Sequence, residues 1–535
     1  TGGLIGKNHA NSTLKDVQAL GQVDVVAEIN SYRANSQLSV AAGGLIGDNQ
    51  NSFISNGSSS GAVRAHVKTG FGVLPVDITV NTDVGGLVGK NTGSNIKQSH
   101  ATGHVLANVV STSDFIQANV GGLVGSQQSN SISHSHATGA VELNTTLNTL
   151  GANSNSEFYI STGGLVGKSH QVALSDVYAS GTVSSSAQTQ SDNFSDVKNY
   201  KTNLFAHTGG LIGQSIESQV VHVSALGAVD ASLDATVNAF ASIQVSAGGL
   251  IGSLASNSSV VQSYATGNVN HTHKVAGGAP VNGSTGGLVG LLGDSKIGNA
   301  YAVGAVAGVQ NVGGLVGSHL GSGSIAQTYA TGLVTGTGVD VGGLVGRADG
   351  TTSVTHSFWD TQSTGQNISA GGSGAQGVST AQIQDLNTFK NAGWDIDNVG
   401  ATGRVWRIYD SLTAPLLRHF MVSKSLNGDQ SSSVTYNGSN QTAVTALANT
   451  HAHWDTSQLF VNSQALGSTL TARNAGTYDT TYYSHQQGYD LIDNQGTFTI
   501  DKAQLNLQAA SDTRVYDGST ARSEERRVGK ECRSR

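Results

Sequence analysis

Along the first 350 residues, short runs of Val, Leu, Ile and Thr alternate with polar positions and are interrupted every few residues by Gly, Asn or Ser. No segment keeps the 3.6-residue apolar spacing of an amphipathic helix over ten or more residues, so the pattern predicts strands. The runs also recur. Gly-Gly-Leu-(Val/Ile)-Gly occurs ten times, with first glycines at Gly2, Gly43, Gly85, Gly121, Gly163, Gly209, Gly248, Gly286, Gly313 and Gly342. A second signature, close to Ser-Tyr-Ala-Thr-Gly-x-Val, follows the first nine, with glycines at Gly21, Gly61, Gly103, Gly139, Gly181, Gly227, Gly267, Gly304 and Gly332.

From the first signature to the second the spacing never changes by more than one position, as Gly43 to Gly61, Gly85 to Gly103 and Gly313 to Gly332 illustrate. From the second signature to the next Gly-Gly it varies widely, short between Gly304 and Gly313 and long between Gly181 and Gly209. One half of each unit is rigid in length and the other carries insertions, as stacked repeats require when packed parts register and loops on one face grow freely. The shortest units, beginning at Gly286 and Gly313, read as three short extended runs. The expected fold is therefore all-β: a parallel β-helix of about ten coils, three strands per coil, with about 4.8 Å between coils and a core on the order of 45–50 Å long. The motif glycines are expected to supply positive φ at corners and close backbone approach. The equivalent aromatic slot holds His100, His136, Tyr178, Ser224, Tyr264, Tyr301, Tyr329 and Phe358, and the last three tyrosines with Phe358 are expected to stack. Leu and Val are adjacent in the pentapeptide, so strict alternation buries only one of them, and the sequence leaves open which.

Composition narrows the class. Gly accounts for 71 of 535 residues, Pro for 3, and charged residues for only 11%, a β-rich and helix-poor content. Regularly placed Val, Leu and Ile argue against disorder. A net charge of −7 without a basic stripe argues against a nucleic-acid partner. No apolar run is long enough to span a membrane as a helix. The chain opens inside a repeat at Thr1, which predicts a cut terminus, so a missing signal peptide carries no weight. Residues 522–535 hold nine charged residues in fourteen and the single cysteine, Cys532. They resemble the conceptual translation of a sequencing adapter and are read as an artefact. A cysteine-free remainder suits a large exported bacterial protein.

The paired signatures, best in 248–269 and 313–334, resemble the GLUG repeat of bacterial surface proteins. Ser357-Phe358-Trp359-Asp360, Gly393-Trp394-Asp395 and Val405-Trp406-Arg407-Ile408 are similar to that family's closing segment, so the resemblance covers about residues 1–420. It implies a large secreted protein of the filamentous-haemagglutinin type, exported by an outer-membrane transporter partner. GLUG repeats also occur in a surface zinc protease, but this chain has no His-Glu-x-x-His, so that likeness implies a stalk alone. Further on, Tyr436-Asn437-Gly438-Ser439 returns as Tyr516-Asp517-Gly518-Ser519, which resembles tandem immunoglobulin-like modules of the YDG/MBG type. The expected organisation is a β-helix over 1–350, its end cap over 351–420, an immunoglobulin-like module over 421–503, the start of a second over 504–521, and the tail.

Candidate chemistry is sparse. Three His-x-His pairs, His134/His136, His271/His273 and His451/His453, put two ligands on one strand face but lack nearby cysteines or clustered carboxylates, so no metal site is assigned. Asp48, Asp83, Asp114, Asp176, Asp230, Asp294 and Asp340 fall at differing repeat offsets, without the convergent acid and base that polysaccharide cleavage needs. Calcium binding through Gly-Gly-x-Gly-x-Asp turns fails because no regular Asp follows the pentapeptide. No catalytic, cofactor-binding or metal-binding residue is assigned. The structural residues singled out are the first glycines from Gly43 to Gly342, with Tyr264, Tyr301, Tyr329 and Phe358.

The insertions over 23–39, 63–82, 141–161, 183–207 and 229–246 carry alternating apolar residues. They predict either outward hairpins forming a polar binding face or strands that merely lengthen one sheet. The function expected is a non-enzymatic, extracellular, cell-surface adhesin fragment, its shaft presenting loops to host or abiotic surfaces, with a host glycan, a host protein or other cells as partners. The rival is a surface hydrolase or lyase, or the stalk of a protease. A concave groove holding three or more convergent Asp, Glu, His or Lys would favour the enzyme.

Overall fold

The computed structural model describes residues 1–9, 11–29, 36–69, 78–149, 156–191, 201–237, 241–349, 351–426, 431–443, 455–462, 471–506, 508, 515 and 518. Two compact units emerge, Thr1–Leu426 with Tyr483–Asp493, and Asn427–Tyr482 with Asn494–Arg535. His451, His453, Cys532, the charged tail, most of the expected second module and the tips of the insertions lie outside the described residues.

The first unit is a parallel β-helix with four strands per coil instead of the three expected. Sheet I has ten strands, from Ile5–His9 to Val345–Ala348, each leaving a pentapeptide. Sheet II carries the second signature, from Thr13–Lys15 to Ser357–Asp360 and Ala375–Val378. Sheet III (Val23–Ile29 to Val334–Gly336) and sheet IV (Ser36–Gly43 to Val341–Gly342) have nine strands each. The short units hid this fourth strand, because there sheets III and IV shrink to brief strands such as Val306–Gly308 and Val312–Gly313.

All ten first glycines lie in one unbroken ladder, Gly2 beside Gly43, then Gly85, Gly121 and onward to Gly342. Their function is close approach, and none needs a left-handed backbone. A Cβ on Gly85 would lie 2.0 Å from the Val88 carbonyl oxygen and 2.7 Å from the Gly125 nitrogen; on Gly89 it would meet the Ala42 backbone at 2.6 Å. Both glycines line the inside of a re-entrant corner, where sheet IV turns sharply into sheet I. The second glycine, Gly86, is confined as well: an added Cβ would lie 2.1 Å from the Gly122 carbonyl oxygen and 2.9 Å from the inward Ala101 methyl. The left-handed corners fall elsewhere, to polar residues such as Asn56, Gln98, His134, Asp176, His222, Gln262, Asn299 and Gln327, whose φ values lie between 47° and 55°.

The corner also resolves the Leu–Val question. Leu87 and Val88 are both fully buried, and both their N–H groups donate to the Leu123 carbonyl. The chain bends at Leu87, so strict alternation is broken there and both side chains enter the core between sheets I and II. A second apolar layer fills the space between sheets III and IV, with Val63, Val67, Val105 and Val109 facing Val80, Val84, Ile116 and Val120. The insertions are therefore two facing sheets with their own core, a fin beside the main barrel. Inside the barrel runs a chain of buried amides: Asn8 Nδ2 donates to Asn49, Asn49 to Asn91, and Asn91 to Gln127, at 2.6–2.8 Å. Each satisfies the polar groups of the next coil, which a buried amide requires.

In the aromatic slot, His100, His136 and Tyr178 stack at 5.1 and 4.7 Å, and Tyr264, Tyr301 and Tyr329 at 5.1 and 4.9 Å. Phe358 keeps register with Tyr329 but turns edge-on to Phe389 at 5.3 Å, so it does not extend the stack as expected. The closing segment divides in two. Trp359 takes the inward position held by Ala330 one coil earlier, lies flat on Gly343 and plugs the barrel end. Residues 368–370 occupy the place of a next coil, through Gly343 N–H to Ile368 and Val345 N–H to Ser369 Oγ. Residues after Ser379 then fold back along the outer face of sheet II. Phe389, Trp394, Trp406 and Leu417 cover the tyrosine stack. Trp406 Nε1 donates to Asn299 Oδ1 at 2.9 Å and Tyr329 donates to the Pro415 carbonyl at 2.7 Å. The segment expected to be a terminal cap is thus partly a lateral cover.

Tyr483–Asp493, placed in the module by the sequence, belongs to the first unit. Arg407, Arg418 and Asp490 explain why: Arg407 Nε lies 3.2 Å from Asp490 Oδ1, Arg418 pairs with Asp490 and Asp397, and all but Asp397 are nearly or wholly out of solvent. The second unit contains a four-stranded sheet in which Ser432–Thr435 and Gln495–Asp501 run parallel and Gly476–Tyr483 antiparallel, around Tyr482, Phe498 and Ile500. No helix among the described residues is long and apolar enough to cross a membrane.

Candidate binding groove at the re-entrant corner

Side chains that point outward on either side of the Gly-Gly-Leu corner converge, because the corner is concave on the outside. Counting from the first glycine, the outward position two residues before it belongs to sheet IV and the one five residues after it to sheet I. The first set reads Ala41, Asp83, Asn119, Ser161, His207 and Ser246 in register; the second reads Lys7, Asp48, Lys90, Ser126, Lys168 and Gln214. Between them, over the second to sixth coils, lies a groove of about 670 Å³. Its walls are Gln37, Ser39, Asn81 and Gln117 from sheet IV and Asp48, Lys90, Thr92, Gln128, Lys168 and His170 from sheet I, with Asp83 at its floor.

The floor is electrostatically tense. Burial pushes the Asp83 carboxyl above its ordinary range, opposed by hydrogen bonds from Asn119, at 2.8 Å, and Ser126 and by the Lys90 and Lys168 charges. Burial likewise lowers the Lys168 ammonium, with Asp83 pulling the other way. Near the rim, the exposed Lys7 and the half-buried Asp48 sit 3.6 Å apart, a rim pair of little energetic weight. Continuing outward from Gln117, the next coils place Tyr159 and Phe205 on the same row, stacked at 5.1 Å, with Phe115 tilted against Tyr159 at 5.8 Å. A half-buried aromatic strip thus adjoins an amide- and hydroxyl-lined cleft. Such a surface offers flat apolar faces and directional hydrogen bonds together.

Asp48 and Asp83, read from sequence as unclustered, share this groove. Their offsets differ, +5 and −2, because they stand on opposite sides of one corner; following the alternation outward through the pentapeptide in both directions would have joined them. Asp230 and Asp294 stay apart: Asp230 accepts from Asn270, and Asp294 accepts from Ser322 across a turn. Among the histidine pairs, His136 is spent in the ring stack, while His271 is buried in the fin, 5.3 Å from His273, with Nδ1 2.9 Å from Thr285 Oγ1. The described residues bring one potential metal-holding set together that the sequence did not suggest, Asp176, His222 and His419, from two coils and the fold-back segment. The singled-out glycines and Tyr264, Tyr301, Tyr329 and Phe358 lie in ladders away from the groove floor or at its glycine corner, where they shape the scaffold.

The buried histidines predict an acid-sensitive fin. His207, in the Asp83 row, has its pKa lowered to about 4, chiefly by burial and then by Lys168; His271 is lowered to about 3 by burial and then by His273. Below the ordinary value of 6.5 the unfolded chain takes up the proton first, so stability falls as pH drops from 6.5 toward 4 for His207 and toward 3 for His271. Each contributes a loss of about 2 kcal/mol by pH 5. Asp83, with its raised pKa, acts in the opposite sense above its ordinary 3.8. The melting midpoint is expected to be several degrees lower at pH 5 than at pH 7.5, and His207→Gln to shrink that gap by roughly half. Equal gaps in the variant and the parent chain would contradict this role for His207.

Two segments, residues 80–106 and 117–142, match the family model of the GLUG motif. They span the third and fourth coils, from sheet IV through the pentapeptide to the start of sheet III, and include Asp83, Lys90, Asn119 and Ser126. No curated protein and no solved structure matches the chain.

Proposed function

We propose that this GLUG-repeat β-helix works outside a bacterial cell as an adhesin-type shaft, and that the groove at its re-entrant corner binds an extended polar polymer, a glycan before a peptide. The observation carrying this reading is the groove's periodicity: amide, hydroxyl and charged side chains repeat coil by coil beside the Tyr159–Phe205 strip. A saccharide chain has the matching chemistry, with hydroxyls at its edges and apolar C–H faces for aromatic rings. The resemblance to GLUG-repeat surface proteins supports export through an outer-membrane transporter partner and residence at the cell surface. Host or neighbouring-cell glycans are the ligands this position would meet.

A second reading is favoured by one observation. Asp83, with a raised pKa, lies near Lys168, with a lowered one, in a groove that also holds Asp48, Lys90 and His170. Paired groups shifted in this way are what an acid–base cleavage of a polysaccharide needs. The purified chain should be probed on arrays of neutral and acidic oligosaccharides, with bound ligands assayed for new reducing ends and for the ultraviolet absorbance of an unsaturated lyase product. Binding without products is expected, with Lys168→Ala and Gln117→Ala each weakening it about tenfold. Products that vanish in Asp83→Asn would establish the enzyme; binding that both groove variants leave intact would place the ligand site elsewhere.

A further inference from the structure

Asp176 and His222 occupy the same left-handed corner of successive coils, each with φ of 55°, which turns both side chains outward from sheet II. His419 comes from the fold-back segment, 243 residues beyond Asp176, and its Nε2 lies 2.8 Å from Asp176 Oδ1. His222 Nδ1 stands 3.7 Å from the same oxygen, and His134 Nε2, one coil earlier, 3.9 Å from Oδ2. One carboxylate thus collects three imidazoles. The rings of His222 and His419 are stacked, with centroids 3.6 Å apart.

His222 is held from its far side, with Nε2 2.9 Å from Gln262 Oε1. That contact leaves Nδ1 as the atom turned toward the Asp176 carboxylate, 3.7 Å from Oδ1. Gln262 plays the part of an outer partner that fixes the orientation of a ligating histidine.

We propose that Asp176, His222 and His419 form a binding site for a divalent transition ion of the zinc class, with His134 or water completing four ligands, and that the ion staples the fold-back segment to the shaft. Imidazole and carboxylate donors suit zinc, nickel and copper rather than calcium or magnesium. The three ligand atoms lie within 4.8 Å of one another; bonds of about 2.0–2.1 Å draw such atoms to roughly 3.4 Å. His419, 39% exposed, supplies that movement by rotating its ring out of the stack. Fixing one ligand on Arg418–Phe420 and two on the coils adds a crosslink beyond the Phe420–Tyr264 edge contact, at 4.9 Å, and the hydrogen bonds at Trp406 and Pro415.

The test uses the full chain stripped with chelator and titrated with zinc chloride by calorimetry, with cobalt(II) absorption as an independent readout of coordination. Saturable one-to-one binding is expected, with a melting midpoint raised by about 2–4 °C at hundredfold excess over Kd. His419→Ala and Asp176→Asn should each weaken binding at least tenfold, whereas His66→Gln, in sheet III, should leave it unchanged. His419→Ala removes an exposed side chain, so its fold is expected to persist and can be verified by circular dichroism. Absence of saturable binding, or binding in both the His419 and Asp176 variants as tight as in the parent chain, would overturn the site. Melting that depends on pH but not on zinc would show that protons alone hold the cluster, which also overturns it.

Discussion

Gly163→Ala is expected to cost about 3–5 kcal/mol in local stability, the range reserved for substitutions that leave no room to relax. A methyl on Gly163 would stand 2.1 Å from the Val166 carbonyl oxygen, 2.7 Å from the Gly213 nitrogen and 2.8 Å from the Leu211 oxygen. All three are backbone atoms in a registered ladder, so none can swing aside. The corner must open, and with it the bend that puts both Leu165 and Val166 in the core. Because each coil touches only its neighbours, the damage should spread over adjacent coils and leave distant ones intact. Limited proteolysis should show cleavage accelerated at least tenfold around the fifth coil, with an early step in the melting curve. Gly298→Ala is the matched control: no atom lies within 4 Å of its added carbon, and a strand glycine gains about 0.5–1 kcal/mol on becoming alanine. Equal behaviour of the two variants would refute the close-approach role of the pentapeptide.

The second large effect lies in the buried charges that hold Tyr483–Asp493 to the fold-back segment. Asp490→Ala is expected to destabilise this region by about 3–5 kcal/mol, because it leaves the buried Arg407 without its anion and Arg418 with Asp397 alone. The Arg407 side chain is wholly buried and Arg418 nearly so; Arg407 also lies 4.1 Å over the Tyr409 ring, whose hydroxyl donates to the Tyr489 carbonyl. Burial already lowers the Arg407 pKa against the pull of Tyr409 and Asp490. With the carboxylate gone, water must enter or the segment must detach. Hydrogen exchange at Tyr489–Leu491, which pairs in parallel with Val422–Lys424, should rise at least tenfold. Asp490→Asn, which keeps the shape and loses the charge, should fall between the two. Unchanged exchange in Asp490→Ala would mean that the three charges do not hold this strand.

How the repeats would stack was open to reading because it depends on periodic, local information. Gly-Gly-Leu and Ser-Tyr-Ala-Thr-Gly recur at a nearly fixed interval, and a chain forced to repeat its own hydrogen bonding places identical residues side by side. The tyrosine stack and the glycine ladder follow from that alone. The fourth strand was hidden because sheets III and IV exist in full only where the insertions are long, and their alternation reads equally well as a hairpin on a surface. Only the packed structure makes Val105 face Ile116 across a second core.

The pentapeptide, the groove and the histidine cluster show where local reading stops. Alternation decides which side of a strand a residue occupies, but not the angle between successive strands. Asp48 and Asp83 meet only because the chain bends outward at a corner whose glycines leave no Cβ inside it. Asp176 and His419 meet because a segment 243 residues downstream doubles back over sheet II. Periodicity along the chain determined the ladders, since those need only each coil and the next. Corner angle and long-range return determined the sites, since electrostatic and ligand geometry depend on distances in space that repeat spacing does not encode.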